Sequence, residues 1–221
     1  MKPKALVEPR TVSLVAVVDT IEMLRRATPS SRSLLVAVTG IDGSGKGYVA
    51  ELMTVTLKAR GLRTVNINVD GWLSLPSVRF SEKDPATHFY VNALRFGDMF
   101  ATLVRPLRDQ RSIRVEADFV EETDVEYRRH LYEFVDVDII VLEGIYLLKR
   151  ELRKEYDLSI WIDCTFETAL ERAVGRSQEN LPPAETIAAY HRIYFPAQEI
   201  HARRDRPRDA ATLILTNDPR L

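Results

Sequence analysis

A glycine-rich segment that could hold phosphate lies near the start of the chain, where residues 40–47 read GIDGSGKG. Its spacing matches the pattern G-x-x-x-x-G-K, and it lies between an apolar run and a helical pattern. In that context the glycines let backbone N–H groups point at phosphate oxygens, and the lysine supplies a mobile positive charge. We therefore predict a nucleotide-binding loop, rather than a turn without a ligand, formed by Gly40, Asp42, Gly43, Ser44, Gly45, Lys46, Gly47 and Tyr48.

The residue after the loop lysine departs from the usual motif. A serine or threonine normally stands there and its hydroxyl reaches the magnesium ion, whereas this chain has Gly47. Magnesium is commonly held by few protein groups together with phosphate oxygens and water, so a water molecule could replace the missing hydroxyl. Ser44 is the nearest hydroxyl in the loop, although its position favours contact with phosphate. We expect weaker metal binding or weaker catalysis rather than loss of phosphate chemistry.

Two carboxylates follow predicted strands at the same end of a predicted parallel sheet. Glu143 ends the apolar run VDIIVLEG, and we predict that it organises magnesium, directly or through water, beside the phosphate loop. Asp70 ends the run RTVNINVD and should point into the same crevice, where it can take the proton of an attacking hydroxyl. A solvent-exposed glutamate and an aspartate that only begins a turn are the alternative interpretations.

Alternating apolar runs and helical patterns indicate the elements that must position these residues. Strands are predicted at 33–39, 63–70, 137–144, 156–164 and, as an edge strand, 210–219. Helices are predicted at 45–61, at 87–108 and 165–178, and at 182–204 with an interruption at Pro196. In the first of them, the residues spaced to face the sheet are Val49, Leu52, Met53 and Leu57. Alternation at 111–135 predicts a short antiparallel hairpin, and the charged run at 201–209 is predicted to lie on the surface.

The first 32 residues are predicted to be a helical appendage and linker, joined to a main domain at 33–221. An amphipathic pattern at 11–27 predicts a short helix, and the segment TPSSRS that follows predicts a linker. We expect this helix to pack on the main domain or on a second subunit of a homo-oligomer.

Four segments, GIDGSGKG, NVDGW, VLEGIYLL and YDLSIWID, resemble in their order and spacing the uridine kinase branch of the P-loop kinases, the phosphoribulokinase/uridine kinase family. The resemblance covers residues 34–221 and includes the late segments RIYFPAQ and ATLILTNDP. It implies the three-layer α/β/α fold of the P-loop NTPases, with a five-stranded, mostly parallel sheet and a small antiparallel hairpin insertion.

The implied activity is transfer of the γ-phosphate of ATP or GTP, with Mg²⁺, to a sugar hydroxyl of a nucleoside that Asp70 activates. The resemblance also implies catalytic roles for Lys46, Arg172 and Arg176. The two arginines lie four residues apart on one helical face, in the region that corresponds to a lid over the transferred phosphoryl group.

The acceptor-binding segment of this family is matched only loosely, by DPATHFY at residues 84–90. An aromatic ring that stacks on a base and polar groups that read it would form an acceptor pocket. We therefore predict acceptor binding by Asp70, Trp72, His88, Phe89, Tyr90 and Arg95, with core packing as the alternative for the aromatic residues. Another small alcohol, such as pantothenate or a sugar phosphate, stays open as the acceptor. A nucleotide-binding regulatory protein without catalysis is the third interpretation.

Composition limits the other classes of function. The 221 residues carry 31 Lys plus Arg against 32 Asp plus Glu, which gives no electrostatic reason to expect nucleic acid or a membrane surface as a partner. The single cysteine, Cys164, cannot form a disulfide within the chain and favours a cytoplasmic protein. No apolar run approaches the roughly 18 residues of a membrane span.

Overall fold

A parallel six-stranded sheet forms the centre of the computed structural model, which describes residues 10–176 and 181–221. The strands in chain order are β1 (Arg10–Thr11), β2 (Leu34–Gly40), β3 (Thr64–Asn68), β4 (Ile113–Phe119), β5 (Arg128–Phe134), β6 (Ile139–Gly144), β7 (Leu158–Asp163) and β8 (Leu213–Thr216). The sheet has the order β1-β8-β7-β2-β6-β3, while β4 and β5 form a separate antiparallel pair. The predicted hairpin and the five predicted parallel strands are confirmed.

Helices cover both faces of this sheet. They are α1 (Leu14–Ala27), α2 (Lys46–Ala59), α3 (Pro76–Arg79), α4 (Pro85–Asn92), α5 (Phe96–Met99), α6 (Arg105–Gln110), α7 (Phe166–Arg176), α8 (Pro183–Ala189), α9 (Phe195–Asp205) and α10 (Pro207–Ala210). Alternate residues of β2 serve the two faces: Val36 packs with α1 and α2, and Leu35 packs with the helical stretch around Phe100. The predicted three-layer α/β/α fold is therefore confirmed. Within the described residues, no helix has both the length and the apolar character that crossing a membrane requires.

The N-terminal segment contributes to the sheet as well as to a helix. Arg10 pairs with Leu213 and Thr11 with Ile214, so β1 covers β8, and the prediction of 210–219 as an edge strand is wrong. Two residues are too few to give a periodic signal, which is why the sequence pattern does not reveal β1. α1 packs on the same domain through buried side chains of Val17, Val18 and Ile21. Residues 1–9 of the predicted appendage lie outside the described residues.

Prolines shape both of the long helical stretches. A π-helical segment, Phe100–Val104, joins α5 to α6, and a second one, Tyr190–Tyr194, joins α8 to α9. In each case a proline, Pro106 or Pro196, is the second residue of the α-helix that follows. Proline has no N–H to donate and its ring crowds the carbonyl one turn back, so a widened turn lets the helix continue. The prediction that Pro196 interrupts this helix is therefore wrong, because the helical stretch continues through it.

The predicted helix at 87–108 is wrong in its continuity. α4 ends at Asn92, and Leu94 forms a β-bridge with Leu73 before the helical stretch resumes at Phe96. Ala93, Leu94 and Arg95 all favour a helix, and the bridge to a distant segment overrides that local preference.

Burial differs from the sequence predictions at two places. On α2, Val49, Met53 and Leu57 face the sheet as predicted, but Leu52 lies at the rim of that stripe and is 37% exposed. In the charged run at 201–209, His201 and Asp205 are buried and paired at 2.7 Å on the inner face of α9. The prediction that this whole run lies on the surface is wrong, because residues four apart share one helix face.

Candidate active site

The loop between β2 and α2 has the backbone shape that a bound phosphate requires. Gly43 and Gly45 have φ angles of +78° and +82°, the left-handed region that favours glycine. A Cβ atom on Gly43 would lie 2.4 Å from the carbonyl oxygen of Ala169, so a larger residue is excluded there by space as well. α2 begins directly at Lys46, and the unpaired N–H groups of its first turn face the loop. The Ser44 hydroxyl is buried and has no hydrogen-bond partner within the described residues, as expected of a group that binds a ligand.

Lys46 and Asp42 are oppositely charged residues of this loop that lie close together. Lys46 is buried, and its Nζ lies 3.8 Å from Oδ1 of Asp42. Asp42 also accepts hydrogen bonds from Nη2 of Arg176, at 3.0 and 3.1 Å, and from the Tyr190 hydroxyl. Burial acts to raise the pKa of Asp42, but the charges of Lys46 and Arg176 outweigh burial and lower it. Asp42 therefore interacts with both cations of the loop region.

The two predicted lid arginines both reach the phosphate loop. Nη1 of Arg172 donates to the carbonyl oxygen of Ser44 at 3.1 Å, while Arg176 contacts Asp42. The same Ser44 carbonyl accepts a second hydrogen bond, at 2.8 Å, from Nδ2 of Asn217. Sequence reasoning noted the segment TNDP but assigned no role to Asn217, because its contact with the loop depends on the pairing of β8 with β7. α7 and the end of β8 thus fix the far side of the loop.

Glu143 faces the place where the usual hydroxyl is missing. A Cβ atom on Gly47 would lie 3.5 Å from Oε1 of Glu143, an ordinary contact distance. Glu143 is only 4% exposed, and its Oε2 has no hydrogen-bond partner within the described residues. Burial raises the pKa of Glu143 to about 7, with Lys46 opposing the rise and Asp70 adding to it. A buried carboxylate oxygen without a partner has the chemistry that magnesium prefers.

These observations fit a magnesium site with few protein ligands. Within residues 10–176 and 181–221, no group of three or more His, Cys, Asp or Glu side chains has the arrangement of a metal cluster. Glu143 would hold the ion together with phosphate oxygens of the nucleotide and water, which is the usual manner of binding magnesium. When bound, magnesium would neutralise phosphate charge.

We expect Gly47→Ser to lower the magnesium concentration needed for half-maximal activity by about tenfold, the effect of one added contact worth about 1.4 kcal/mol. The hydroxyl would stand beside Glu143, and the Cβ atom fits without displacing it. Magnesium titrations of initial rate measure the change. Gly47→Ala is the matched control, because it adds the same Cβ without a hydroxyl. Equal magnesium requirements in the two variants would contradict this placement of the metal.

Two cavities meet at the carboxyl ends of β3 and β6. The phosphate cavity is narrow, about 40 Å³, and its lining includes Asp42, Lys46 and Arg176. The acceptor cavity is open, about 530 Å³, and lies between the end of β3 and the hairpin. Both linings include Asp70 and Glu122. Asp70 and Glu122 therefore lie where the two cavities adjoin.

Asp70 lies in the short 3₁₀ turn Val69–Trp72 that follows β3, where its backbone N–H donates to Oδ1 of Asn68 at 2.7 Å. Burial raises the pKa of Asp70; the charge of Lys46 acts in the opposite sense and that of Asp42 reinforces the rise. A carboxylate with a raised pKa is a better proton acceptor at neutral pH than an exposed one.

Comparison with known proteins agrees with this geometry. The sequence pattern of the Phosphoribulokinase / Uridine kinase family matches residues 35–180, about two thirds of the chain. The chain belongs to this family. Membership in the phosphoribulokinase/uridine kinase family makes the protein a P-loop kinase, and it supports a phosphotransferase that uses a nucleotide.

Individual relatives of this family member differ in the acceptors that their names give. An adenylyl-sulfate kinase from Burkholderia ambifaria is 34% identical over 168 residues, which cover 70% of this chain and 88% of the relative. A possible uridine kinase from Bacillus stearothermophilus has a TM-score of 0.68 at 18% identity, covering 90% of this chain and 99% of that one. D-glycerate 3-kinase from Cryptococcus neoformans has a TM-score of 0.66 at 13% identity, with 92% and 95% covered. At these identities the two solved structures show the fold, and they leave the acceptor open.

In this family member, aromatic side chains of the hairpin line the acceptor cavity: Phe119 on β4, with His130, Tyr132 and Phe134 on β5. The rings of Phe119 and His130 have centroids 4.9 Å apart, and those of His130 and Tyr132 lie 4.5 Å apart. Sequence reasoning missed these residues. Their period of two along β5 was the available signal, since residues two apart share one face of a strand.

The residues predicted to bind the acceptor are placed differently from one another. Asp70 lines both cavities and Phe89 lines the phosphate cavity. Trp72 is buried behind the acceptor cavity and stacks on Tyr132 at 5.9 Å. Arg95 lies over the Trp72 ring and donates to the Asp118 carbonyl oxygen at 2.7 Å, so it supports the hairpin.

Three further predicted residues point away from both cavities. His88 contacts the carbonyl oxygen of Val78 through Nε2 at 2.8 Å. Tyr90 is buried, and its hydroxyl donates to Asp205 in the core between α4 and α9. Tyr48 is 71% exposed on the outer side of α2. Core packing, the alternative given above for the aromatic residues, therefore describes the surroundings of Tyr90.

We expect Gly144→Ala to destabilise the protein by about 1–3 kcal/mol, the usual cost of overpacking, and to lower kcat as well. A Cβ atom on Gly144 would lie 2.0 Å from Cγ2 of buried Val69. Val69 directly precedes Asp70 and Gly144 directly follows Glu143, so the clash would lie next to both carboxylates. Urea unfolding and steady-state kinetics measure the two effects. Adding Val69→Ala should recover part of both losses, and a double variant no better than Gly144→Ala would show that the clash is not their cause.

Proposed function

We propose that this protein is an ATP-dependent kinase that transfers the γ-phosphate to a hydroxyl group of a nucleoside, in the manner of a uridine kinase. The observation that carries the proposal is the position of Asp70 at the boundary between the phosphate cavity and the aromatic acceptor cavity. Stacking on aromatic rings is the usual way in which proteins bind a planar base, and the hairpin offers four such rings.

In this proposal, different residues of the chain have different roles in the transfer of the γ-phosphate. Lys46 and the N–H groups of the loop bind the phosphates of the nucleotide, and Arg176 exchanges Asp42 for phosphate oxygen when the nucleotide binds. Asp70 orients the acceptor hydroxyl and accepts its proton as the oxygen attacks the phosphorus. Arg172 keeps the loop in place through the Ser44 carbonyl.

A kinase of a different small hydroxyl compound is the second candidate, and a specific observation favours it. The relative with 34% identity is an adenylyl-sulfate kinase, so phosphate chemistry of this kind is compatible with another acceptor. Pantothenate and a sugar phosphate belong to the same candidate. Retention of Asp70 in both cavity linings supports a kinase over a regulatory protein without catalysis, although Gly47 motivates that third candidate.

An ATP-consumption assay over a panel of acceptors tests the proposal. The panel contains the common nucleosides, pantothenate, adenylyl sulfate and phosphorylated sugars, each with magnesium and with manganese. We expect the highest acceptor-dependent rate with a nucleoside. A higher rate with another acceptor would favour the second candidate. Measurable ATP binding without acceptor-dependent turnover under either metal would exclude both kinase candidates and leave the regulatory one.

A further inference from the structure

The acceptor cavity has a one-sided distribution of charge. Asp70, Glu121 and Glu122 contribute carboxylates to its lining, and within the described residues the lining contains neither lysine nor arginine. The remaining polar groups are neutral side chains such as Asn66 and Asn68, together with His130. A phosphate or carboxylate brought into this cavity would meet carboxylates and no fixed cation, which is unfavourable.

Two arginines beside the cavity are engaged by oxygens of its wall. Arg79 is 1% exposed; it donates to the Ser74 carbonyl oxygen at 2.8 Å and to both the backbone oxygen and Oε1 of Glu122. Arg95 is held by the carbonyl oxygens of Leu73 and Asp118. Both guanidinium groups are therefore held by oxygens of the wall. Nε of Arg79 has no hydrogen-bond partner within the described residues, but it is buried and Arg79 is not part of the cavity lining.

Arg128 on β5 contacts two residues of the cavity lining, although it is not part of the lining itself. It is more than half exposed, pairs with Glu121 and lies 4.9 Å above the ring of Phe119. Arg128 thus offsets Glu121 as Arg79 offsets Glu122, but in both pairs the carboxylate, and not the arginine, belongs to the cavity lining. Of the lining carboxylates, Asp70 and Glu122 are shared by the two cavities.

We propose that Glu122, positioned by buried Arg79, makes this kinase select neutral or cationic acceptors and exclude acceptors that carry a phosphate, sulfate or carboxylate group. Glu122 is then a specificity-determining residue: its carboxylate accepts hydrogen bonds from N–H or O–H groups of the acceptor and repels anionic ones. This inference rests on the proposed function, since it takes the larger cavity as the acceptor site.

Pairs of compounds that share a hydroxyl but differ in charge provide the test. Suitable pairs are uridine with uridine 3′-monophosphate, cytidine with its 3′-monophosphate, and pantothenol with pantothenate. For at least one pair we expect the wild-type kcat/KM to favour the neutral member by roughly tenfold or more. Equal or faster turnover of the anionic members would overturn the inference and leave the kinase assignment intact.

Variants of Glu122 separate charge from structure. Glu122→Gln keeps an oxygen that can accept from Arg79, and we expect it to reduce the difference within a pair by roughly threefold or more, mainly through KM of the anionic member. Glu122→Asp keeps the charge and should keep the preference. Glu116→Gln, which removes an exposed carboxylate on β4 away from the cavity lining, is the matched control and should change nothing. An unaltered preference in Glu122→Gln would overturn the role of this residue.

Failure of the proposed function has a different signature. If no member of any pair is turned over, the kinase proposal fails, and isothermal titration calorimetry of the same pairs still measures the preference. Tighter binding of the neutral members then supports charge selection by the cavity, and equal or tighter binding of the anionic members overturns it. Thermal unfolding of each variant verifies that the hairpin remains folded.

Discussion

Asp70→Asn is expected to lower kcat by roughly 10²- to 10⁴-fold, the range that a positioned general base contributes, while ATP affinity stays nearly unchanged. Asparagine has almost the same shape but cannot take the proton of the acceptor hydroxyl. The turn that carries residue 70 should persist, because its hydrogen bond to Asn68 comes from the backbone N–H. Steady-state kinetics with a nucleoside and direct titration of ATP measure the two quantities.

The pH dependence of the wild-type rate provides a second measure of the same residue. Activity should fall as the pH is lowered through the raised pKa of Asp70, since only the ionised carboxylate accepts a proton. At saturating magnesium, which would keep Glu143 ionised, the residual activity of Asp70→Asn should lack this decrease. Turnover close to the wild-type value in the variant would show that another group, or none, acts as the base.

Glu143→Gln is expected to stabilise the protein without nucleotide and metal by about 3 kcal/mol at pH 8, and to leave the stability nearly unchanged at pH 4.5. In the folded state burial raises the pKa of Glu143 from its ordinary value of 4.5 to about 7. Below pH 4.5 the residue is protonated in both states and contributes nothing. As the pH rises from 4.5 to 7, the unfolded chain loses this proton first, so the free energy of unfolding falls.

Urea unfolding of both proteins at several pH values measures this difference. Glu133→Gln, which replaces an exposed glutamate on β5, is the control and should show little difference between pH 4.5 and pH 8. In the presence of ATP and magnesium the order should reverse, because the wild-type carboxylate then gains a cation partner. A Glu143→Gln variant that is less stable than the wild type at pH 8 without ligands would contradict the assigned cause, burial of an uncompensated charge.

The opposite expectations for stability and function at Glu143 are typical of a site that is prepared for a ligand. The unpartnered carboxylate oxygen of Glu143 lies beside Gly47. The space left by the missing side chain therefore connects the unusual glycine with the buried carboxylate, which lie far apart in the sequence. The glycine alone suggested a defective motif. With Glu143 3.5 Å from its missing Cβ, we propose that the change concerns how a bound magnesium ion would be held.

The parts of the site that could be predicted from the sequence are local. Residues 40–47 are contiguous, Glu143 lies at the end of β6, and Asp70 follows β3 by two residues, so strand order alone brings them to one edge of the sheet. The sheet itself was predictable for the same reason, because long apolar runs specify buried parallel strands.

The acceptor side could not be predicted in the same way. Phe119 and His130 reach the cavity only because the hairpin folds over the end of β3, where Gly71 leaves room for the Phe119 ring. A Cβ atom on Gly71 would lie 2.5 Å from that ring. The segment at 84–90 loosely resembles a known acceptor-binding motif, but Tyr90 in this segment packs in the core and does not line the acceptor cavity. Such outcomes depend on contacts between distant parts of the chain, which sequence periodicity does not describe.

The π-helical segment between α8 and α9 has a consequence for the aim of the side chains around the phosphate cavity. Tyr190 bonds Asp42, and Tyr194 and Gln198 line that cavity, each four residues further on. In a regular α-helix such a series drifts around the axis by about 40° per step and would spread over about 80°. The π-helical turn at Tyr190–Tyr194 reduces this rotation, because each residue of a wider turn rotates by a smaller angle about the helix axis. Pro196, which requires that turn, thereby helps to direct Tyr194 and Gln198 to the cavity and Tyr190 to Asp42 in its lining.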